Sequence, residues 1–228
     1  KENNYKTDLY LVNSQDKQAY RLTKNGNSPV WSPDGKKLAF VSDRSGSRQI
    51  WVLTEGIGEA EQLTTMRYGA SNAIWSPDGK KLLFISAVGA DDKPEMLTKE
   101  MDKAEKEKQA KERTDKGYWV DSLRYKFNGM GLLPKRTGQI WVLDLETKEV
   151  KQLTFGDYQV SSPAWAPCGQ YIAFTSNRLP EPDMEPMISD LYLVPVAGGD
   201  LIKLTESNGH AAAPIWSLDG KEIVYLWH

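Results

Sequence analysis

The octapeptide W-S-P-D-G-K-K-L spans residues 31–38 and occurs again, unchanged, at residues 75–82. Weaker copies, W-A-P-C-G-Q-Y and W-S-L-D-G-K-E-I, begin at Trp165 and Trp216. Successive copies start roughly 40 to 50 residues apart, with one gap of about twice that length, and a period of this size built from short strands is typical of propeller blades. The repeat therefore predicts an all-β fold, a β-propeller of four-stranded antiparallel blades.

Each repeat contains four strand-sized segments. Pro33 presets φ at one turn position and Gly35 accepts a positive φ, so the S-P-D-G segment is expected to close a hairpin. The next segment, 36–42, is apolar on both faces, which suits a strand packed between neighbouring blades. A β-branched and aromatic strand is predicted at 49–53, and the outermost strand is predicted at 61–64.

The same strand motifs recur in the same order along the chain. The third-strand motif occurs at 8–12, 49–53, 139–143 and 190–194, and the L-T ending of the fourth strand at 22–23, 63–64, 153–154 and 204–205. The pattern predicts three whole blades, at about 28–64, 72–154 and 161–205, between half-blades at 8–23 and 214–227. Residues 1–228 are therefore expected to form a single partial propeller domain.

The two half-blades allow two arrangements. In the first arrangement, the half-blades would pair with each other and close a four-bladed ring. In the second, they would be the two ends of an open arc cut from a larger ring. We expect the arc, because the last segment, 224–228, stops in mid-strand without a turn. Unpaired strand edges recruit other chains, so self-association through the blade edges is expected.

One blade is interrupted by a charged insert at 94–117 that is too polar for a core. Acidic residues that precede lysines by four positions favour a solvated helix. These pairs are Asp102 with Lys106, Glu107 with Lys111, and Glu112 with Lys116. We expect a surface excursion rather than a partner-binding helix. Farther along, Asn128-Gly129 predicts a hairpin turn.

The composition excludes several classes of protein. The formal net charge of −2 lacks the basic excess of nucleic-acid binders, and no apolar run approaches the ~18 residues of a membrane span. The single cysteine, Cys168, rules out an internal disulfide and is typical of a reducing compartment, so a cytoplasmic protein is expected. Two histidines offer little material for a metal site, and no cofactor is expected.

Side chains that repeat from blade to blade are interpreted as architecture. The tryptophans are expected to fill the wedges between adjacent blades. Asp34, Asp78 and Asp219 recur at one turn position, which indicates turn chemistry, because an active site needs different residues in different blades. Cys168 occupies the same position in the third copy, so no nucleophilic role is expected for it.

These motifs resemble the propeller repeats of TolB-like proteins and of the prolyl oligopeptidase family. The resemblance depends on the W-S-P-D-G-K-K-L repeats, on the S-D-R and S-N-R turns at 42–44 and 176–178, and on the L-T endings. The segment L-R-Y-K-F-N-G-M-G at 123–131 narrows it to the acylaminoacyl-peptidase branch. The resemblance covers essentially the whole chain.

The resemblance implies a non-catalytic propeller that caps a C-terminal α/β-hydrolase domain and restricts access to short peptides. The nucleophile of such serine peptidases lies in a G-x-S-x-G elbow, and this sequence contains none. No catalytic residue is therefore assigned, and the chain alone is not expected to be an enzyme. The implied partners are the hydrolase domain and short peptide substrates.

Three other functions stay open: a TolB-like interaction propeller without an enzyme domain, a polysaccharide-processing propeller, and a plain scaffold. Three residues are candidates for substrate binding. Arg124 and Lys126 precede the predicted hairpin turn, where a cation can meet a peptide carboxylate. His210 lies in the connection between two blades, a position that can face the channel. Each candidate also has a purely structural interpretation. Arg124 and Lys126 are then solvated side chains of a hairpin, and His210 is a loop histidine whose hydrogen-bond partners are internal.

Overall fold

The computed structural model describes residues 7–54, 58–115, 123, 125–127, 131–132, 135–206 and 208–228. Three four-stranded antiparallel sheets follow one another along the chain, with a two-stranded sheet before them and another after them. The predicted partial propeller of three whole blades and two half-blades is therefore confirmed. The half-blades remain separate sheets, as expected for an open arc.

The strands are named in chain order. The N-terminal half-blade consists of β1(Leu9–Val12) and β2(Ala19–Thr23). The first blade consists of β3(Asn27–Trp31), β4(Lys37–Ser42), β5(Gln49–Thr54) and β6(Glu61–Gln62). The second blade begins with β7(Ser71–Trp75) and β8(Lys81–Gly89). Its insert contains α1(Pro94–Leu97), α2(Lys103–Asp115), β9(Lys126–Phe127) and β10(Gly131–Leu132).

The second blade resumes with β11(Arg136–Asp144) and β12(Val150–Gln152). The third blade consists of β13(Val160–Trp165), β14(Tyr171–Ser176), β15(Asp190–Pro195) and β16(Ile202–Lys203). The C-terminal half-blade consists of β17(Ala211–Trp216) and β18(Ile223–Trp227).

The repeated turns lie side by side on one face of the arc, which we call the turn face. A Cβ added at Gly79 would lie 3.6 Å from Pro33 Cδ, and one at Gly220 would lie 3.6 Å from Pro167 Cδ. The turns of successive blades are therefore in contact. Each blade is a meander, so its successive turns alternate between the two ends of the strands. The insert therefore lies at the end opposite to the repeated turns, and so do the segments that connect one blade to the next. We call this side the insert face.

Side-chain hydrogen bonds explain the residues of the repeated turn. Ser32 Oγ donates to Asp34 Oδ1 at 2.6 Å, and the same carboxylate oxygen accepts the Lys36 N–H at 3.1 Å. Gly35 has a φ of 70°, which glycine adopts without strain. The bond from Ser32 is the main reason that the pKa of Asp34 is lowered. The same bonds recur around Asp78 and Asp219, so the prediction of turn chemistry is confirmed.

The tryptophans of the repeat join each blade to the one before it. Trp75 Nε1 donates to Val30 O at 3.0 Å, and Trp165 Nε1 donates to Ile74 O at 3.1 Å. These indoles are 6% and 8% exposed, which confirms the wedge role for them. The prediction is wrong for Trp31, which is 44% exposed, because the described part of the half-blade before it, β1 and β2, contains no innermost strand to cover the indole.

The L-T endings belong to a buried polar arrangement that we call the Gln–Thr latch. Thr64 Oγ1 donates to Gln49 Oε1 at 2.8 Å and accepts the Ile50 N–H at 2.9 Å. Gln49 Nε2 also donates to Met66 O at 2.7 Å. The second blade has the same latch, made by Thr154 and Gln139. Since a buried polar group is costly unless it is paired, the latch fixes the blade's outer end to its third strand.

The latch also accounts for an outer strand that is shorter than predicted. β6 covers only Glu61–Gln62 instead of residues 61–64. The Leu63 N–H still donates to Ile50 O at 2.8 Å, but the next residue, Thr64, turns inward to reach Gln49. The outermost strand therefore ends where the latch begins.

Every innermost strand contains a bulge at the same position. A residue other than glycine adopts a left-handed φ there; these residues are Ser28 (49°), Asn72 (54°), Ser162 (49°) and Ala213 (49°). The strand register shifts at each of these sites. The bulge is thus a regular part of the blade, although such a φ is strained for an L-residue.

Helix α2 starts with a capping box. The Glu105 N–H donates to Asp102 Oδ1 at 2.8 Å, and the Asp102 N–H donates to Glu105 Oε2 at 3.1 Å. The predicted pair of Asp102 with Lys106 is wrong, because the carboxylate caps the helix and Lys106 Nζ donates to Gly46 O at 2.9 Å. The insert is therefore attached to the first blade.

Two arginines hold α2 on the insert face. Arg67 Nη1 lies 3.4 Å from Glu105 Oε1, and Arg136 Nη2 donates to Gln109 Oε1 at 2.9 Å. The Arg136 guanidinium also stacks on Tyr68, 3.5 Å from the ring centroid, a favourable cation–π contact. All of these contacts involve polar or charged groups. Helix α2 is therefore attached by polar side chains and not by an apolar face.

Other expectations for the insert have mixed outcomes. Lys103 and Glu107 form an i,i+4 pair at 3.8 Å with the base first, and such an exposed pair adds little stability. Lys116, the expected partner of Glu112, lies outside the described residues, as do Asn128 and Gly129. Strands β9 and β10 on either side of that predicted turn pair antiparallel.

Candidate functional site

A small cavity of about 270 Å³ opens on the insert face, beside the third blade and the C-terminal half-blade. Its polar lining includes Asp157, Gln159, Ser176, Asn177, Ser189 and His210. Pro182, Pro186 and Ile188, from the loop between β14 and β15, form an apolar side. The volume is below the ~300 to 1,000 Å³ of sites for whole small molecules. The cavity is therefore suited to one side chain or chain terminus of a larger ligand.

A serine and a histidine meet at one end of this cavity. Ser189 Oγ lies 2.9 Å from His210 Nδ1 and donates to Ala211 O at 2.8 Å. Because the serine proton is directed to the carbonyl, Nδ1 of His210 is assigned as the donor to Ser189. Ser189 is 7% exposed. The hydroxyl is thus a buried structural group and is not presented as a nucleophile.

Gln159 forms part of the cavity wall and is fixed by main-chain groups. Its Oε1 accepts the Gly138 N–H at 2.7 Å, and its Nε2 donates to Val160 O at 3.0 Å. A Cβ at Gly138 would lie 2.6 Å from Gln159 Nε2, so only glycine allows this approach. Ser176 Oγ donates to Gln159 O at 2.8 Å. The wall is therefore preorganised by bonds across two blades.

The S-N-R turn places an arginine beside the cavity. The Arg178 guanidinium lies 4.8 Å from the Tyr158 ring centroid and 5.6 Å from that of Tyr192. Its Nε and Nη2 are buried and have no hydrogen-bond partner among the described residues, and burial lowers its pKa. Arg44, at the equivalent position, donates to Thr23 Oγ1 and Lys24 O, both at 2.7 Å.

The predicted binding residues have separate locations. His210 lines the cavity, and its Nδ1 and main-chain N–H have internal partners. Lys126 is exposed on β9 and is not part of the cavity lining. Arg124 lies outside the described residues. The structure thus places one of the three candidates in a cavity, and substrate binding by any of them remains a prediction.

Sequence reasoning missed most of the cavity, including Gln159 and Ser189. Only the S-N-R turn, noted as a motif at 176–178, gave a signal. Cys168 is exposed on the turn face. Within the described ranges, no His, Cys, Asp and Glu side chains are grouped as a metal site requires. None of the described helices is long and apolar enough to cross a membrane.

Comparison with known proteins gives a family and several relatives. The model of the family described as the TolB beta propeller domain matches residues 1–117. The chain is 29% identical over 176 residues to the uncharacterized peptidase YuxL of Bacillus subtilis, a match that covers 75% of this chain and 24% of that protein. The chain thus spans about a quarter of that relative's length.

Solved structures have the same fold. A putative TolB from Agrobacterium tumefaciens superposes with a TM-score of 0.60 at 18% identity, covering 99% of this chain and 64% of that chain. The acylaminoacyl peptidase of Pyrococcus horikoshii superposes with a TM-score of 0.63 at 22% identity, covering 94% of this chain and 30% of that chain.

Proposed function

The chain belongs to the TolB β-propeller family, and we propose that it is the propeller of a serine peptidase of the acylaminoacyl-peptidase type. In this role it would gate short peptides on their way to an α/β-hydrolase domain elsewhere in the protein. The observation that carries the proposal is the 29% identity to a peptidase across 75% of the chain. A reducing compartment such as the cytoplasm fits the proposal, since Cys168 is the only cysteine.

The difference between the two faces supports a gate that acts on one side. The turn face repeats nearly the same turn in blade after blade, whereas the insert face, apart from its buried latches, carries different structures on different blades. It carries helix α2 over the first and second blades and the cavity with His210 beside the third. Specific recognition needs different residues at different positions, so the insert face is the side that we assign to peptides.

The chain's own chemistry fits a binding role. Ser189 Oγ bonds to His210 Nδ1 and donates its proton to Ala211 O, so it has an internal acceptor. The exposed Asp157 and Ser161 offer hydrogen-bonding groups at the cavity. The chain would hold and admit peptides, and peptide-bond cleavage would belong to the hydrolase domain.

A TolB-like interaction propeller without an enzyme domain is the second candidate. Two observations favour it: the family model that matches residues 1–117 describes the TolB propeller, and the Agrobacterium TolB structure covers 99% of this chain. In this case the insert face would bind a folded protein partner instead of a peptide in transit.

An assay of the full-length gene product tests the proposal. We expect it to hydrolyse N-acetylated amino acid p-nitroanilides, and we expect the 228-residue chain alone to be inactive. A full-length product without hydrolase activity that copurifies with a defined protein partner would support the second candidate. Activity in the chain alone would contradict the assignment of chemistry to another domain.

A further inference from the structure

A larger groove of about 840 Å³ lies on the insert face at the outer end of the second blade. Segment 88–98, which includes α1, forms one wall, and β12 with the loop 155–157 forms the other. Its larger apolar lining residues include Val88, Leu97, Trp141, Val150 and Phe155. We call this feature the outer groove. Its volume is that of a site for a peptide segment or a small ligand.

The charges of the outer groove are mainly negative. Asp92, Glu95 and Asp157 line it together with a single cation, Lys151. Lys151 Nζ already donates to Ala197 O, and Asp92 accepts the Tyr68 hydroxyl at 2.7 Å. Glu95 and Asp157 are exposed and accept no hydrogen bond from any described residue. These two carboxylates are therefore open to a cation of the ligand.

Asp157 connects the outer groove with the small cavity, since it lines both. The short loop that carries it, 155–157, separates an apolar site from a polar one. A ligand that crosses this loop would place an apolar group beside Phe155, a cation at Asp157 and a polar group near Ser161. An extended peptide can present an apolar, a cationic and a polar group in this order, because its successive side chains point in alternate directions.

We infer that the outer groove binds an extended peptide segment in which an apolar residue adjoins a lysine or arginine. The inference deepens the proposed function, on which it rests for the choice of a peptide as ligand, by naming the class of peptide. Charge complementarity at an exposed rim contributes mainly to the association rate and to specificity. The apolar lining supplies the area that is removed from water.

Fluorescence anisotropy with three labelled hexapeptides tests this inference on the 228-residue chain. The peptides have the sequence Ala-Leu-Lys-Leu-Phe-Ala, the same sequence with acetyl-lysine, and the same sequence with glutamate in place of lysine. We expect the lysine peptide to bind about three- to tenfold more tightly than the acetyl-lysine peptide, as for one or two partly exposed ion pairs. We expect 0.5 M NaCl to reduce this difference, because salt screens exposed charges.

Three variants locate the site. Asp157→Asn should remove most of the preference for lysine, and Phe155→Ala, at a side chain that is 64% exposed, should weaken all three peptides without affecting folding. Glu146→Gln is the matched control, because it makes an equal charge change at an exposed position on the turn face of the same blade. It should bind like the unaltered chain.

Equal affinity for the lysine and acetyl-lysine peptides would overturn the inference. So would the absence of binding at millimolar concentration, or an Asp157→Asn variant that behaves like Glu146→Gln. Binding needs no hydrolysis, so these outcomes leave the peptidase assay of the full-length product unaffected. Conversely, a failed peptidase assay would leave the measured peptide preference in place.

Discussion

Replacing Thr64 with valine tests whether the Gln–Thr latch stabilises a blade. Valine has the shape of threonine without the hydroxyl, and Thr64 is 1% exposed, so the change removes hydrogen bonds with little change in volume. The Ile50 N–H loses its acceptor at 2.9 Å. Gln49 Oε1 loses the hydroxyl but keeps the Met66 N–H at 3.0 Å. One buried main-chain donor is therefore left without a partner.

The expected cost follows from that donor. A buried group that loses its hydrogen-bond partner costs about 1 to 3 kcal/mol, and we expect about 2 kcal/mol for Thr64→Val. With an m-value of about 3 kcal/mol/M, the urea midpoint should fall by about 0.7 M. Urea unfolding followed by far-ultraviolet circular dichroism measures this shift directly.

Thr54→Val is the matched control for the latch. Thr54 lies at the exposed end of β5, and a surface change of this kind should alter the free energy of unfolding by less than about 0.5 kcal/mol. If Thr64→Val and Thr54→Val shift the urea midpoint equally, the latch does not contribute to stability, and our explanation of the repeated L-T endings is wrong.

Three further changes test other parts of the fold. Trp165→Phe loses its bond to the preceding blade and should cost about 1 to 2 kcal/mol, whereas Trp31→Phe, at an indole that is 44% exposed, should cost less in the same urea experiment. The pKa of Asp144 is lowered from 3.8 to about 2, chiefly by its hydrogen bond from Lys81. Between about pH 2 and 4 the unfolded chain therefore binds more protons than the folded chain. The stabilisation present above about pH 4 is lost as the pH falls towards 2. Asp144→Asn should flatten that part of the pH–stability curve. Ala213→Gly relieves a φ of 49° and should raise the free energy of unfolding by about 0.5 kcal/mol.

The sequence predicts the blades well because their signals are local. The W-S-P-D-G turns need only neighbouring residues, such as Ser32, Asp34 and Gly35, and their spacing indicates the blade period. The latch was missed although its residues recur, because Gln49 and Thr64 are brought together only by the pairing of strands. Their matched recurrence as Gln139 and Thr154 was the available signal.

Other features depend on tertiary contacts that spacing does not reveal. The predicted pair of Asp102 with Lys106 is wrong because a helix start offers the carboxylate main-chain N–H groups and because Gly46 lies within reach of the lysine. The cavity combines residues from several separate segments, from Thr137 to His210. Neither composition nor periodicity predicts such an assembly.

The central claim, that this propeller admits short peptides to a hydrolase domain, is tested most directly by the dependence of hydrolysis on substrate length. The measurement is kcat/KM of the full-length gene product for N-acetylated peptides of the same cleavable sequence, extended from about 3 to 60 residues. We predict efficient cleavage of the short peptides and a loss of more than tenfold for the longest. Equal kcat/KM values at every length, or no cleavage of any of these peptides, would contradict the account.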